Sequence, residues 1–350
     1  MAVIEAVGTA VPRYRLRQSE AKQLAARLFH ATSLATERYL TVFDHAAIDE
    51  RYVCVPPEWF EMAKPLSEKN RLYVQAAGEL GVQAVERCLA MAGRSADEID
   101  HLIVVSSTGL ATPSLDAHFI NRMPFRNDVR RTPVWGLGCA GGAAGLTLAC
   151  EWIQAHPHAR ALLVAVECCS LTFQRHDMSK RNLVAAALFA DGAAAVLVAG
   201  DKTGAAGPRW LGSMSHTWRN SLELMGWQVA DDGLEVVFSK DIPVFVRRRL
   251  RPVVHDFLRR HGLSGTDDLR HVIAHPGGVR VLEALIHALP VEWSLLAASK
   301  AVLKRYGNMS SPTVLFVLQE VFQSRPMPGD YGLLLALGPG FSAEQLLLAW

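Results

Sequence analysis

The order of elements repeats once along this chain, and that recurrence constrains its fold more than any other feature. In the first half an apolar helical stretch (76–92) ends at a glycine turn and is followed by a short buried run, HLIVV (101–105). A glycine-flanked turn, GLGCAGG (136–142), then opens a second apolar helix that leads to the run ALLVAV (161–166). In the second half a helical stretch (246–261) ends in HGLSGTDDLR and is followed by HVIA (271–274). The turn YGNMSSP (306–312), a helix (313–322) and the run GLLLAL (332–337) complete the series. Residues 3–7 and the run AAAVLV (193–198) read as further strands. Short apolar runs alternating with helical periodicity indicate an α/β fold, here expected to have largely parallel sheets. Two passes through one order indicate duplicated halves, 1–205 and 206–350, joined near the polar segment DKTGAAG (201–207). In that arrangement Cys139 and Asn308 occupy matching places, each at the start of a central helix.

The chain has 350 residues, half of them hydrophobic, which is enough to bury two such halves. Lys and Arg exceed Asp and Glu by two (36 − 34), so a nucleic-acid partner is not expected. The N-terminus has no basic segment ahead of an apolar core and reads as a strand, not a secretion signal. The longest apolar stretch, 183–199, is interrupted by Asp191 and Gly192, so no membrane span is expected. Cys54, Cys88, Cys139, Cys150, Cys168 and Cys169 show neither CxxC spacing nor a disulfide framework. They are expected to be free thiols in a reducing cytoplasm, with no metal site.

Three segments carry chemistry. In Gly136-Leu137-Gly138-Cys139-Ala140-Gly141-Gly142 the small residues permit a tight strand-to-helix turn. Cys139 would then sit at a helix N-terminus, whose positive end favours thiolate. Cys88 and Cys150 lie inside apolar helices and read as small hydrophobes. In Ala274-His275-Pro276-Gly277-Gly278 the histidine ends a buried strand, the edge where open α/β sheets place ligands. The plainer reading of a lone histidine is a satisfied core residue; the turn after it and its possible partners set His275 apart. Asn308, taken alone, reads as a helix N-cap. Its correspondence with Cys139 shifts the balance. Together, Cys139, His275 and Asn308 make a nucleophile, base and oxyanion-donor set.

With these residues in view, the chain resembles the type III polyketide synthases, the chalcone synthase-like branch of the thiolase fold. The likeness spans nearly the whole chain. It is carried, in order, by GLGCAGGAAGL around Cys139, ALFADGAAAV around Phe189, HPGG at His275, YGNMSSPTVLFVL at Asn308 and LALGPGFSAE near the C-terminus. Segments such as IDERYVCVPPEWF, VECCSLTFQR and MGWQV are most similar to bacterial synthases that make alkylpyrones or alkylresorcinols from fatty acyl starters. The resemblance implies an α/β thiolase-like fold of two duplicated halves in a five-layered αβαβα arrangement. It implies a homodimeric acyltransferase without a cofactor, acting on malonyl-CoA and acyl-CoA.

The resemblance also implies roles. Cys139 takes the starter acyl group from coenzyme A. His275 and Asn308 bind the malonyl thioester carbonyl and stabilise the enolate left by loss of CO₂; His275 also holds Cys139 as a thiolate. Phe189 matches a gating phenylalanine between the coenzyme A tunnel and the cavity. Ser107, Thr108, Thr112, Cys169, Thr172, Val236, Ser310, Gly338 and Pro339 are expected to line that cavity. Val236 stands where plant chalcone synthases usually carry Phe, and the loss of bulk suits a linear aliphatic starter, medium or long. For the phosphates of coenzyme A, Arg51 and Arg280 are the candidates; the run Arg247, Arg248, Arg249 and Arg251 reads as a solvated helix face. Two other activities fit the Cys–His–Asn set. One is an initiating β-ketoacyl-carrier-protein synthase, which condenses once. The other is a Cys-His-Asn hydrolase, which usually carries different local signatures.

Overall fold

The computed structural model describes residues 1–29 and 34–350. Its first half contains β1 (Ala2–Ala10), a small antiparallel pair β2 (Tyr14–Arg17) and β3 (Glu50–Val53), and then β4 (His101–Val105), β5 (Arg130–Val134), β6 (Arg160–Cys168) and β7 (Asp191–Gly200). The second half contains β8 (Arg209–Thr217), an antiparallel hairpin β9 (Met225–Ala230) and β10 (Gly233–Phe238), and then β11 (Leu269–Ala274), β12 (Tyr331–Gly338) and β13 (Ser342–Ala349).

The main sheet runs β5-β4-β6-β7-β1 and continues as β8-β13-β12-β11. The order β4-β6-β7-β1 therefore recurs as β11-β12-β13-β8, with the same directions: the first pair parallel, the next two antiparallel. The two sets meet between β1 and β8, at the Val3–Arg209 register pair and the adjacent bond from Ile4 N to Pro208 O at 3.0 Å. The expectation of largely parallel sheets is corrected, because five of the eight pairings in this sheet are antiparallel. The physical reason is that strands covered on both faces read as continuous apolar runs whichever way they point.

Three cores separate five layers. Helix Leu66–Ala92 packs on one face of the first sheet half. Helices Gly141–Ala155 and Thr313–Gln323 fill the space between the halves. Helices Ile242–Arg260 and Val279–Ala288 cover the outer face of the second half. Strand side chains alternate between cores: Leu102 and Val104 enter the first while Ile103 and Val105 enter the middle one. Leu334 and Ala336 enter the middle core while Leu333, Leu335 and Leu337 enter the third. This two-sided burial is why the runs HLIVV and GLLLAL lack polar alternation. Each large aliphatic side chain so buried contributes about 1.5–3 kcal/mol. The arginines at 247–249 and 251 are exposed, as a solvated helix face requires. Among the described residues no helix is long and apolar enough to cross a membrane.

Candidate active site

The turn that carries Cys139 is shaped by close packing. Gly138 has φ 46°, and a Cβ there would lie 2.9 Å from the Pro339 ring. The Gly138 amide donates to Ser107 Oγ at 3.2 Å. Cys139 is buried in a 3-10 turn, Gly138–Ala140, that runs into helix Gly141–Ala155. At Gly142 the backbone of the other half comes so near that a Cβ would lie 2.2 Å from the Ser311 carbonyl oxygen. The entrances of the two central helices are thus in contact, and Ser310 Oγ donates to Cys139 Sγ at 3.5 Å.

His275 follows β11, with its amide bonded to Leu335 O at 2.8 Å. Its imidazole is buried, and neither ring nitrogen has a hydrogen-bond partner among the described residues. Asn308 is fixed at both ends. Its amide donates to Leu188 O and its carbonyl accepts from Ala190 N, each at 2.9 Å. Its side chain donates from Nδ2 to Gly277 O at 3.2 Å and accepts from Ser310 N at 2.8 Å. Ser310 takes φ 59°, a left-handed conformation that costs a non-glycine residue on the order of 1 kcal/mol. Its bonds to Asn308 and Cys139 hold it there. Helix Thr313–Gln323 begins five residues after Asn308, with Pro312 at its N-cap, so the N-cap reading of Asn308 is corrected. The correspondence with Cys139, two residues before its helix, is one of position in the fold rather than of register. Cys139, His275, Asn308, Ser310 and Pro339 line a single cleft.

Burial sets the electrostatics of this cleft. It pushes the Cys139 thiol up to about 11 and the His275 imidazole down to about 4. No hydrogen bond joins the Cys139 sulfur to His275. The expectation of a thiolate built into the resting turn is therefore corrected: desolvation outweighs the hydrogen bonds from Ser310 and Asn308 that favour the thiolate. The imidazole is left neutral, and a neutral imidazole can accept a proton. Glu167, at the end of β6, lies fully buried nearby. It accepts from Ser107 N (2.9 Å), Thr108 Oγ1 (2.7 Å) and Ser311 Oγ (2.7 Å), yet burial still lifts its carboxyl to about 7.

Phe189 and Val236 border the cleft on one side and a second, apolar chamber on the other. That chamber is lined by Leu24, Leu28, Phe29 and Phe173, with Cys169 and Thr172 among its walls. The β9–β10 hairpin delivers part of the partition. Trp227 and Val236 are cross-strand partners, and the Trp227 ring lies 5.9 Å from that of Phe189. Lys69, itself buried, ties the hairpin down through Asp232 O (2.8 Å), Phe173 O (3.0 Å) and Gln174 Oε1 (2.9 Å).

Not every expected lining residue reaches these walls. Ser107 and Gly338 pack behind the Cys139 turn; a Cβ on Gly338 would lie 2.5 Å from that of Ala140. Thr108 bonds to Glu167 and to Cys168 N, and borders a separate groove together with Thr172 and Lys69. Thr112 is exposed on the loop beyond β4 and lines none of these cavities. Arg280 is exposed in the first turn of helix Val279–Ala288. Arg51 is corrected as a phosphate-binding candidate: it is 2% exposed, and its guanidinium is spent on the carbonyls of Ala186, Ala187 and Phe189. Sequence reasoning missed Glu167, Lys69 and Trp227. The one available signal was an acid closing an otherwise apolar strand, ALLVAVE.

Residues 1–202 match the family model for the N-terminal domain of chalcone and stilbene synthases, and residues 214–349 match the one for the C-terminal domain. The chain is 40% identical to the 1,3,6,8-tetrahydroxynaphthalene synthase of Streptomyces peucetius subsp. caesius, over 99% of this chain and 93% of that protein. It is 37% identical to a putative chalcone synthase of Bacillus subtilis (strain 168), over 100% of this chain and 99% of that one. The crystal structure of the tetrahydroxynaphthalene synthase of Streptomyces coelicolor A3(2), a bacterial type III polyketide synthase, superposes with a TM-score of 0.95 at 31% identity, covering 99% of both chains.

Proposed function

The chain belongs to the chalcone and stilbene synthase family and is a type III polyketide synthase, an acyltransferase with a thiolase-like fold; from that premise we propose that it primes Cys139 with a medium- or long-chain fatty acyl group and extends it with malonyl-CoA. The observation that carries this reading is the apolar chamber behind Phe189 and Val236, which shares these two residues as a wall with the Cys139 cleft. An alkyl chain gains about 0.8 kcal/mol for each methylene buried in such a space.

The chemistry follows from the three residues. His275 accepts the Cys139 proton as the sulfur attacks the acyl-CoA carbonyl; a thioester forms and coenzyme A leaves as its thiol. Malonyl-CoA then loses CO₂, and the electrons of the broken C–C bond become an enolate. Asn308 Nδ2 and the remaining N–H of the His275 ring, neutral again once it has returned the proton to coenzyme A, donate to the enolate oxygen. The enolate carbon attacks the Cys139 thioester, a new C–C bond forms, and the sulfur leaves. Repetition and ring closure give an alkylpyrone or alkylresorcinol. The assembly proposed is a homodimer, and Cys139, His275 and Asn308 are its catalytic residues.

A second reading has the similarity to tetrahydroxynaphthalene synthases in its favour: priming by malonyl-CoA itself. One experiment separates the two. The protein is incubated with malonyl-CoA, alone and with acyl-CoAs of graded length, and products are identified by mass spectrometry. Products that carry the alkyl chain support the fatty acyl starter. A naphthalene product made equally well without acyl-CoA supports the second reading. Hydrolysis of acyl-CoA with no condensation at all would overturn both.

A further inference from the structure

Arg51 lies on β3, buried, and no acidic side chain pairs with it among the described residues. Its charge is instead met by dipoles. Nη1 donates to Ala186 O at 2.6 Å and to Phe189 O at 3.1 Å. Nη2 donates to Ala187 O at 2.7 Å and to Gln18 Oε1. Gln18 in turn donates to Ala187 O (3.1 Å) and Phe43 O (3.2 Å). Ala186 and Ala187 belong to the last turn of helix Lys180–Leu188, where carbonyls lack helical partners and the helix presents its negative end. Burial lowers the guanidinium to about 9, which leaves it protonated at neutral pH.

The clamped segment is the one that pairs with Asn308. Leu188 O and Ala190 N, on either side of Phe189, hold both backbone groups of Asn308. The stem of Arg51 touches the same place from below: a Cβ on Gly307 would lie 3.1 Å from Leu188 O and 3.6 Å from Arg51 Cβ. We propose that Arg51 is a positioning residue that sets Phe189 and Asn308 together, by fixing the helix end between them. The proposal rests on Asn308 acting as an oxyanion donor only for its kinetic consequence; the positional claim stands on the hydrogen bonds alone. A lysine cannot replace the planar fork, because one ammonium cannot span three carbonyls and Gln18 in that geometry.

The test is Arg51→Lys, with Gln18→Met as the second variant if the first fails to fold. Amide hydrogen exchange is followed residue by residue, together with kcat and KM. The expected result is exchange at Ala190 and Asn308 faster by about tenfold or more, with the His275 amide, bonded to Leu335 O, unchanged. Alongside it, kcat falls about tenfold or more while the acyl-CoA KM stays within about twofold. Unchanged exchange at Ala190 and Asn308, or loosening shared equally by His275, would overturn the proposal, the second outcome marking a merely structural role. Absence of condensation by the wild-type protein would instead defeat the synthase reading, and the exchange data would still decide the role of Arg51.

Discussion

Phe189 and Asn308 pair through their backbones in an isolated parallel bridge, so the residue that divides the two cavities and the amide that faces the sulfur-bearing turn share one anchor. The bridge uses only main-chain groups. Asn308→Ala therefore keeps it and removes one oxyanion donor. The expected loss is about 10²–10³ in the rate of CO₂ release from malonyl-CoA, the size found for a single such donor. Far-UV circular dichroism should not change. A rate within threefold of wild type would show that Asn308 is not a donor.

Cys139 and His275 make a second prediction, read by thiol alkylation with iodoacetamide. Burial holds the Cys139 thiol up to about 11 with His275 in place, so little thiolate exists at pH 7 in wild type, and His275→Ala also removes the base that takes the proton as the sulfur attacks. Wild type, with an imidazole to take the proton, should be alkylated at Cys139 about tenfold faster or more at that pH. In the variant the rate should climb with each pH unit between 7 and 10. Equal rates at pH 7 would remove His275 from the role of base.

Glu167 gives a prediction about stability. Its carboxyl is raised from 4.5 to about 7 by burial, so the folded protein binds a proton that the unfolded chain has already released across that interval. Stability from this group is full below pH 4.5 and is lost as pH rises toward 7, by at most about 3 kcal/mol. Glu167→Gln removes the titration. Its melting temperature should depend less on pH between 5 and 8, with the gain over wild type largest at pH 8. A parallel pH profile would show that Glu167 titrates normally.

Val236 forms the partition together with Phe189, and the chamber behind them is apolar. Val236→Phe adds bulk at that wall. The profile of accepted starters should shift toward shorter chains, with decarboxylation of malonyl-CoA retained. If long starters continue to be used unchanged, the alkyl chain does not pass this wall.

At Gly142 the backbones of the two halves approach closely beneath the site. Gly142→Ala places a methyl group 2.2 Å from the Ser311 carbonyl oxygen, and backbone must move to admit it. A destabilisation of about 2 kcal/mol or more is expected in denaturant unfolding. Catalysis should fall as well, since Ser310 and Cys139 are displaced together. A neutral effect on both would mean the helix entrances are not rigidly packed.

The sequence by itself determined the duplicated order of elements and singled out Cys139, His275 and Asn308, which line one cleft. Apolar runs mark strands wherever burial is two-sided, and glycines mark turns wherever a side chain would collide, as at Gly138 and Gly142. Both are local demands, and local demands are written in local residues. The tertiary structure decided strand direction, because a run covered on both faces carries no sign of which way it points. It also decided which polar residues face the cleft and which support it. Arg51 reads as a coenzyme A phosphate ligand and is buried against carbonyls; Thr112 reads as lining and is exposed; Lys69 and Glu167 carry no motif and sit at the centre of networks. Their partners lie 33 to 163 residues away in the chain. Desolvation, which sets the protonation of Cys139, His275 and Glu167, depends on everything packed around a group and so exists only once the chain has folded.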